Sequence, residues 1–231
     1  MHAFFMTGTG PAIGKTFLSC ALLRHWRAKG LTAGAYMAVL SGFDPARPEQ
    51  SDPGLMLAAL GQEVDAAGLD RIAPWRYQAA LAPNIAAEKE GEQIDYRDVV
   101  SSSRAFLRGE PDVALIEGLG GVMAPLTEDR TMLDWMVDVR LPAVLVTGSY
   151  LGTLSHSLTA LQVLSDRGVP VRLIVMSETP GSSVPLAENA VSLARRWPAA
   201  PVRALPRDPS PQAIAAIAGE LLSDVPLATI S

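Results

Sequence analysis

The chain has 231 residues, 48% of them apolar and 19% charged, and carries a net charge of −5. This balance predicts a folded globular chain with ample core, and it excludes a disordered one. The acidic charge and the lack of a basic stripe speak against nucleic acid as a partner. There is no 18-residue apolar run to suggest a membrane span, and the first apolar run meets glycine too soon for a signal peptide. The single cysteine, Cys20, allows neither an internal disulfide nor a cysteine-based metal cluster. A cytoplasmic enzyme, with no nucleic-acid or membrane partner, is the default expectation.

In chain order, apolar and β-branched runs predict strands over residues 2–6, 33–40, 113–116, 143–147, 171–176 and 202–205. Helical spacing predicts helices over 15–29, 53–60, 79–90, 96–107, 132–139, 153–167, 185–196 and 211–222. Several strand runs are almost continuously apolar, as parallel strands buried on both faces require. Regular alternation of the two types predicts one α/β domain over residues 1–231. Its sheet is open and mostly parallel, with flanking helices. Residues 41–53, rich in Gly, Pro, Asp and Ser, read as a loop at a strand's carboxyl end, where such sheets bind ligands.

The most informative stretch is TGTGPAIGKTF, residues 7–17. Its ending, Gly14-Lys15-Thr16, is that of a phosphate-binding P-loop, but the strict pattern asks for glycine at position 9, where this chain has Thr9. Gly8 stands one place early. The stretch follows an apolar strand and precedes the helical pattern Phe17, Leu18, Ala21, Leu22, so an incidental strand–loop–helix junction is the weaker reading. The backbone of Ala12, Ile13, Gly14, Lys15, Thr16 and Phe17 is expected to cradle phosphate at a helix start. Lys15 is one of only three lysines. It is expected to reach the terminal phosphates, and the Thr16 hydroxyl to serve Mg²⁺. A Mg²⁺ site also needs a carboxylate from another strand end. Glu117 closes the run Val113–Ile116 and is followed by Gly118, Leu119, Gly120 and Gly121, which let backbone approach a ligand. Asp52 is the second candidate.

The early glycine is shared with a particular family. The chain resembles dethiobiotin synthetases, whose loop is G-T-x-x-x-x-G-K-T, matched here by Gly8-Thr9 through Gly14-Lys15-Thr16. The resemblance continues in order through Ser19-Cys20-Ala21-Leu22-Leu23, Val39-Leu40-Ser41-Gly42, Ser51-Asp52, Leu81-Ala82-Pro83 and Glu117-Gly118. It extends over Pro125-Leu126, Asp134-Trp135 and Leu151-Gly152 with His156. It implies a P-loop NTPase fold and an ATP- and Mg²⁺-dependent ligase of biotin biosynthesis. Such an enzyme closes the ureido ring of dethiobiotin from 7,8-diaminononanoate and CO₂ through a phosphorylated carbamate. It also implies a homodimer with the substrate near the subunit interface. Carried over by position, Lys15 contacts γ-phosphate and carbamate, and Thr16, Asp52 and Glu117 surround the metal. Ser41 touches the substrate. Gly152, Thr153 and Ser155 at a helix start receive the partner-bound substrate's carboxylate; the rival reading makes Thr153 or Ser155 a plain N-cap.

Four departures fall inside this expected site. Pro11-Ala12 replace a polar threonine–glutamate pair. Met37 holds the place of a lysine that helps hold the carbamate. Ser177-Glu178 replace the asparagine–aspartate that reads adenine, and Asn84 replaces a histidine. A missing cation beside a developing anion costs about 2–4 kcal/mol, by analogy with removed oxyanion donors. Arg47 and Arg76, in or near loops, are candidate substitutes, and nothing in the sequence shows either to point inward. Two rival readings follow. In one, the scaffold uses ATP to activate another carboxylate or carbamate. In the other, it is a P-loop switch ATPase acting through a partner. Gly10, where switch ATPases of this type carry a second lysine, weighs against the latter.

Overall fold

The structure, a computed structural model, describes residues 1–223. Strand β1 (His2–Gly8) runs into helix α1 (Lys15–Ala28), followed by β2 (Ala33–Tyr36), β3 (Val39–Ser41) and a 3₁₀ turn at Pro48–Gln50. Helices α2 (Asp52–Ala59) and α3 (Ala66–Ile72) lead to β4 (Trp75–Tyr77), α4 (Pro83–Lys89), α5 (Tyr96–Leu107) and β5 (Val113–Glu117). The chain continues through α6 (Met132–Val139), β6 (Ala143–Gly148), α7 (Thr153–Asp166), β7 (Val171–Ser177), α8 (Leu186–Arg196), β8 (Val202–Leu205) and α9 (Pro211–Leu222). Among the described residues, six strands form one parallel sheet in the order β2-β5-β1-β6-β7-β8. This is the open α/β sheet that the alternation of elements predicts.

The continuous apolar runs are explained by burial on both sheet faces. Along β1 and β6, Phe4, Met6, Val144 and Val146 join one core with Leu18, Leu22 and Trp26 of α1 and Ile217 of α9. Their neighbours Phe5 and Leu145 point the other way, toward Trp135 of α6 and Leu161 of α7. The alternation is that of a pleated strand with period two. Phe5 and Trp135 meet edge to face at 4.9 Å, and Trp135 Nε1 donates to Ser103 Oγ at 3.0 Å. Helix α6 starts with a capping box between Thr131 and Asp134, and Arg167 pairs with Asp134 at 2.9 Å. Asp134-Trp135 is thus a cap and packing feature.

Two expectations are corrected. The strand expected over 33–40 is two strands. After Tyr36 the chain leaves the main sheet: Met37 N–H bonds to the Ile72 carbonyl, and β3 pairs with β4 in a separate two-stranded sheet. The helix expected from residue 79 begins at Pro83, whose fixed φ and missing N–H suit a first helical position. Helix α3 and strand β4 have no counterpart in the expected elements. Helix α3 is short and contains Gly68, but Asp65 caps it by accepting from the Gly68 N–H at 2.7 Å.

Candidate nucleotide and substrate site

The register aligns the carboxyl ends of the central strands. Met6 pairs with Glu117, Gly8 with Val146, and Gly148 with Ser177. The loops after β1, β5 and β7 therefore converge on one edge of the sheet, the usual ligand edge of such folds.

The loop after β1 shows why glycine is at 8 and not at 9. A Cβ on residue 8 would sit 3.0 Å from the Val146 carbonyl and 2.5 Å from Ile13 Cδ1. Thr9 lies in a bridge with Gly121, donates its N–H to Val146 and directs its hydroxyl to Thr147. Only residues 12 and 14 of the loop take positive φ, Ala12 at 54° and Gly14 at 97°. A side chain is uncommon in that region, so Ala12 holds a mildly strained turn. At Gly14 a Cβ would also meet Ser177 Oγ at 2.9 Å.

Lys15 is 8% exposed, and its Nζ donates to the carbonyls of Gly10 at 3.0 Å and Gly120 at 2.8 Å. Burial lowers its pKa, while Glu117 and Asp52 oppose that shift. The Glu117 carboxylate is 1% exposed and accepts from Thr16 Oγ1 at 2.6 Å and Ser19 Oγ at 2.5 Å. Burial pushes its pKa up to about 7, against the two hydroxyl donors and Lys15; Asp52 adds to the rise. Ser19 does not stand out as a ligand in the sequence. Its helical spacing of three from Thr16 is the signal that could have found it.

A cavity of about 460 Å³ opens here. The loop residues Pro11, Ala12, Gly14, Lys15, Thr16 and Phe17 line it, with Glu117, Gly118, Leu119 and Gly120 opposite. Asp52, at the first position of α2 after the Ser51 cap, adds a second carboxylate. Ile13 packs over Gly8. Ser177 abuts Gly14, whereas the Glu178 carboxylate accepts from the Arg207 N–H at 2.8 Å. Among the described residues, no three His, Cys, Asp or Glu side chains form a metal cage. Two carboxylates and a hydroxyl beside a phosphate loop are instead the donor set that suits Mg²⁺, which keeps few protein ligands and shares the nucleotide's oxygens.

The other end of the expected site differs. Met37 lines the same cavity and is 1% exposed, packed in the core beneath it. Arg47 is held by Asp44 at 2.8 Å, and Arg76 by Asp70 at 2.6 Å, so neither candidate substitute reaches the cavity. Arg24 and Arg207 line it instead. Sequence position gives little sign of either, because a helix face and a strand-end loop bring them there. Ser41, half-buried at the end of β3 opposite Tyr77, stands outside the lining. Asn84 lies at the start of α4, also outside it.

At α7 the N-cap is Gly152, with φ 96° and no side-chain cap. The reading of Thr153 as an N-cap is corrected, since Gly152 holds that position. The Thr153 N–H bonds to the Tyr150 carbonyl, its hydroxyl donates to the Gly148 carbonyl, and the residue is buried. Gly152 and Ser155 are exposed beside Leu151, which is 91% exposed. Cys20 is buried, and burial with nearby Glu117 pushes its thiol up to about 12.

Fold and loop together define a P-loop nucleotide-binding α/β domain. Solved structures with this fold include the MinC:MinD cell division complex of Aquifex aeolicus (TM-score 0.59, 12% identity, 98% of each chain covered). Another is a ParA family ATPase of Chlorobium tepidum (TM-score 0.53, 13% identity, 95% of this chain and 91% of that one). At such identity the likeness concerns the fold alone. A family model described as an AAA domain matches residues 2–216. The chain is 45% identical over 210 residues to the ATP-dependent dethiobiotin synthetase BioD of Phenylobacterium zucineum, covering 90% of each. It is 45% identical over 226 residues to that of Caulobacter sp. strain K31, covering 97% of this chain and 96% of the relative. The chain belongs to the dethiobiotin synthetase family.

Proposed function

We propose that the chain is an ATP- and Mg²⁺-dependent synthetase that closes the ureido ring of dethiobiotin from 7,8-diaminononanoate and CO₂. One substrate amine adds to CO₂ and loses a proton, giving a carbamate. A carbamate oxygen attacks the γ-phosphorus and ADP leaves. The second amine attacks the carbamoyl carbon of the mixed anhydride, and phosphate leaves with closure of the ring. Little of this requires covalent help from the protein; positioning and charge neutralisation dominate.

The observation that carries the reading is the convergence of buried Lys15 and Glu117 with half-buried Thr16 beneath the glycine-rich loop. Lys15 exchanges its carbonyl partners for the γ-phosphate and the carbamate. The amides of residues 12–17, with Gly118, Leu119 and Gly120, hold the phosphates, and Ser177-Glu178 flank the base. Thr16, Asp52 and Glu117 hold Mg²⁺, which neutralises the charge developing on the phosphate oxygens. Ser41 approaches the diamine from β3. Gly152, Ser155 and the exposed Leu151 support a homodimer in which α7 faces the partner's substrate. The site is cytoplasmic and needs neither nucleic acid nor membrane.

Met37 favours a second reading, a family member acting on another carboxylate or carbamate, because an apolar side chain stands where a carbamate-holding lysine is expected. Phosphate release by purified protein separates the two. Dependence on both bicarbonate and 7,8-diaminononanoate supports the synthetase. ATP hydrolysis indifferent to the diamine, or no turnover with it, sinks that reading.

A further inference from the structure

Four hydroxyl groups form a chain between the P-loop entrance and the start of α7, and none of them lines the nucleotide cavity. Thr147, Thr153 and Ser157 are buried. Each hydroxyl has one proton and two lone pairs, so the direction of every bond can be assigned. Thr153 commits its proton to the Gly148 carbonyl. At the 3.0 Å contact with Thr153 the donor must therefore be Thr147. Its proton spent, Thr147 accepts from Ser157 at 2.7 Å and from Thr9 at 3.3 Å. Thr147 is thus the hub, with one bond donated and two accepted.

The two ends of this chain differ in kind. Thr9 opens the phosphate loop, and its N–H is fixed to β6 through Val146. Thr153 is the first residue of α7, immediately after Gly152, which has no side-chain cap. The inward Thr153 hydroxyl caps no amide of this helix start; donating to the Gly148 carbonyl, it ties the helix to the end of β6.

We propose that Thr147 is a positioning residue: its hydroxyl fixes the first turn of α7 against this chain's phosphate loop, and so sets the position of the helix start that the chain offers to its partner's substrate. The inference rests on the synthetase reading. It assigns Thr153 inward to this linkage and leaves Gly152 and Ser155 facing the substrate.

The test compares Thr147→Val, which keeps shape and removes the hub, with Thr147→Ser, which keeps the hydroxyl. Losing a buried hydrogen-bonded hydroxyl is expected to cost about 5–10-fold in an equilibrium, which is about 1–1.4 kcal/mol. The expected result for Thr147→Val is a KM for 7,8-diaminononanoate raised by about 5–10-fold, with kcat and the affinity for Mg-ADP within about twofold of wild type. Thr147→Ser should restore KM. A lowered melting temperature with an unchanged diamine KM would make the chain merely structural and overturn the proposal. So would a uniform loss of kcat in both variants. Wild-type protein inactive with the diamine would instead overturn the synthetase reading, and this inference with it. If Thr147→Val does not fold, Ser157→Ala, which removes one donor to the hub, must raise the diamine KM by a smaller factor; no change there also overturns it.

Discussion

The nucleotide end and the diamine end of the cavity are built on different terms. At the nucleotide end the two buried charges have partners. Lys15 bridges two loop carbonyls, and Glu117 receives two hydroxyls, all aligned by neighbouring parallel strands. At the diamine end Met37 is packed in the core; Arg24 and Arg207, which also line the cavity, are exposed. The rigid end sits on strand termini, where backbone register fixes position. The other end hangs on the short β3–β4 sheet and on helix faces. Chemistry common to all P-loop sites occupies the first, while the second is where substrate selection has room to vary.

The largest expected effect breaks the nucleotide end. Replacing Lys15 with Ala removes the one buried ammonium from the site. Kcat is expected to fall by about 10²–10³-fold, the scale of losing one preorganised charge donor. Steady-state phosphate release measures it. A fall below tenfold would mean that another cation meets the transferred phosphoryl group, and Arg24 would be examined next.

The next effect sharpens the diamine end. Met37→Lys introduces an ammonium where the family has one. For a synthetase weakened there, kcat/KM with 7,8-diaminononanoate should rise by about tenfold or more, below the 2–4 kcal/mol ceiling set by comparable donors. Thermal stability should fall at the same time, because burial penalises the charged form. No gain in rate would favour the reading in which another substrate uses this end.

Much of the first end was legible in the sequence. Gly14-Lys15-Thr16 after an apolar strand, and Glu117 at the end of another, are local patterns, and parallel pairing brings them together without further information. The early glycine was also legible, and the close approach of Gly8 to β6 supplies its reason. The second end was less legible. The run 33–40 is apolar throughout, so periodicity does not show that it divides at Met37 and turns to pair with β4. Arg47 and Arg76 were reasonable by loop position. Their acidic partners, Asp44 three residues away and Asp70 on α3, take them elsewhere. Arg24 sits on a predicted helix, yet only the packing of that helix shows which of its faces borders the cavity. Thr153 suited a helix-start role by sequence, but the direction of its hydroxyl depends on β6.

The smallest expected effects test whether the displaced arginines are truly outside the site. Arg47 and Asp44 are both largely exposed, and such pairs contribute little to stability, about 0–1 kcal/mol. Arg47→Ala should therefore change kcat/KM by less than about twofold and leave the melting temperature nearly unmoved. Arg76 is more enclosed: it also donates to the Ala73 carbonyl and lies over the Phe43 ring at 5.5 Å. Its replacement by Ala should lower the melting temperature by a few degrees through lost packing of the β3–β4 sheet. Since that sheet carries Ser41, the diamine KM is the sensitive readout. A rise in KM after Arg76→Ala but not after Arg47→Ala would trace the diamine end to the small sheet. Equal rises in both would return the two arginines to direct contact with the substrate.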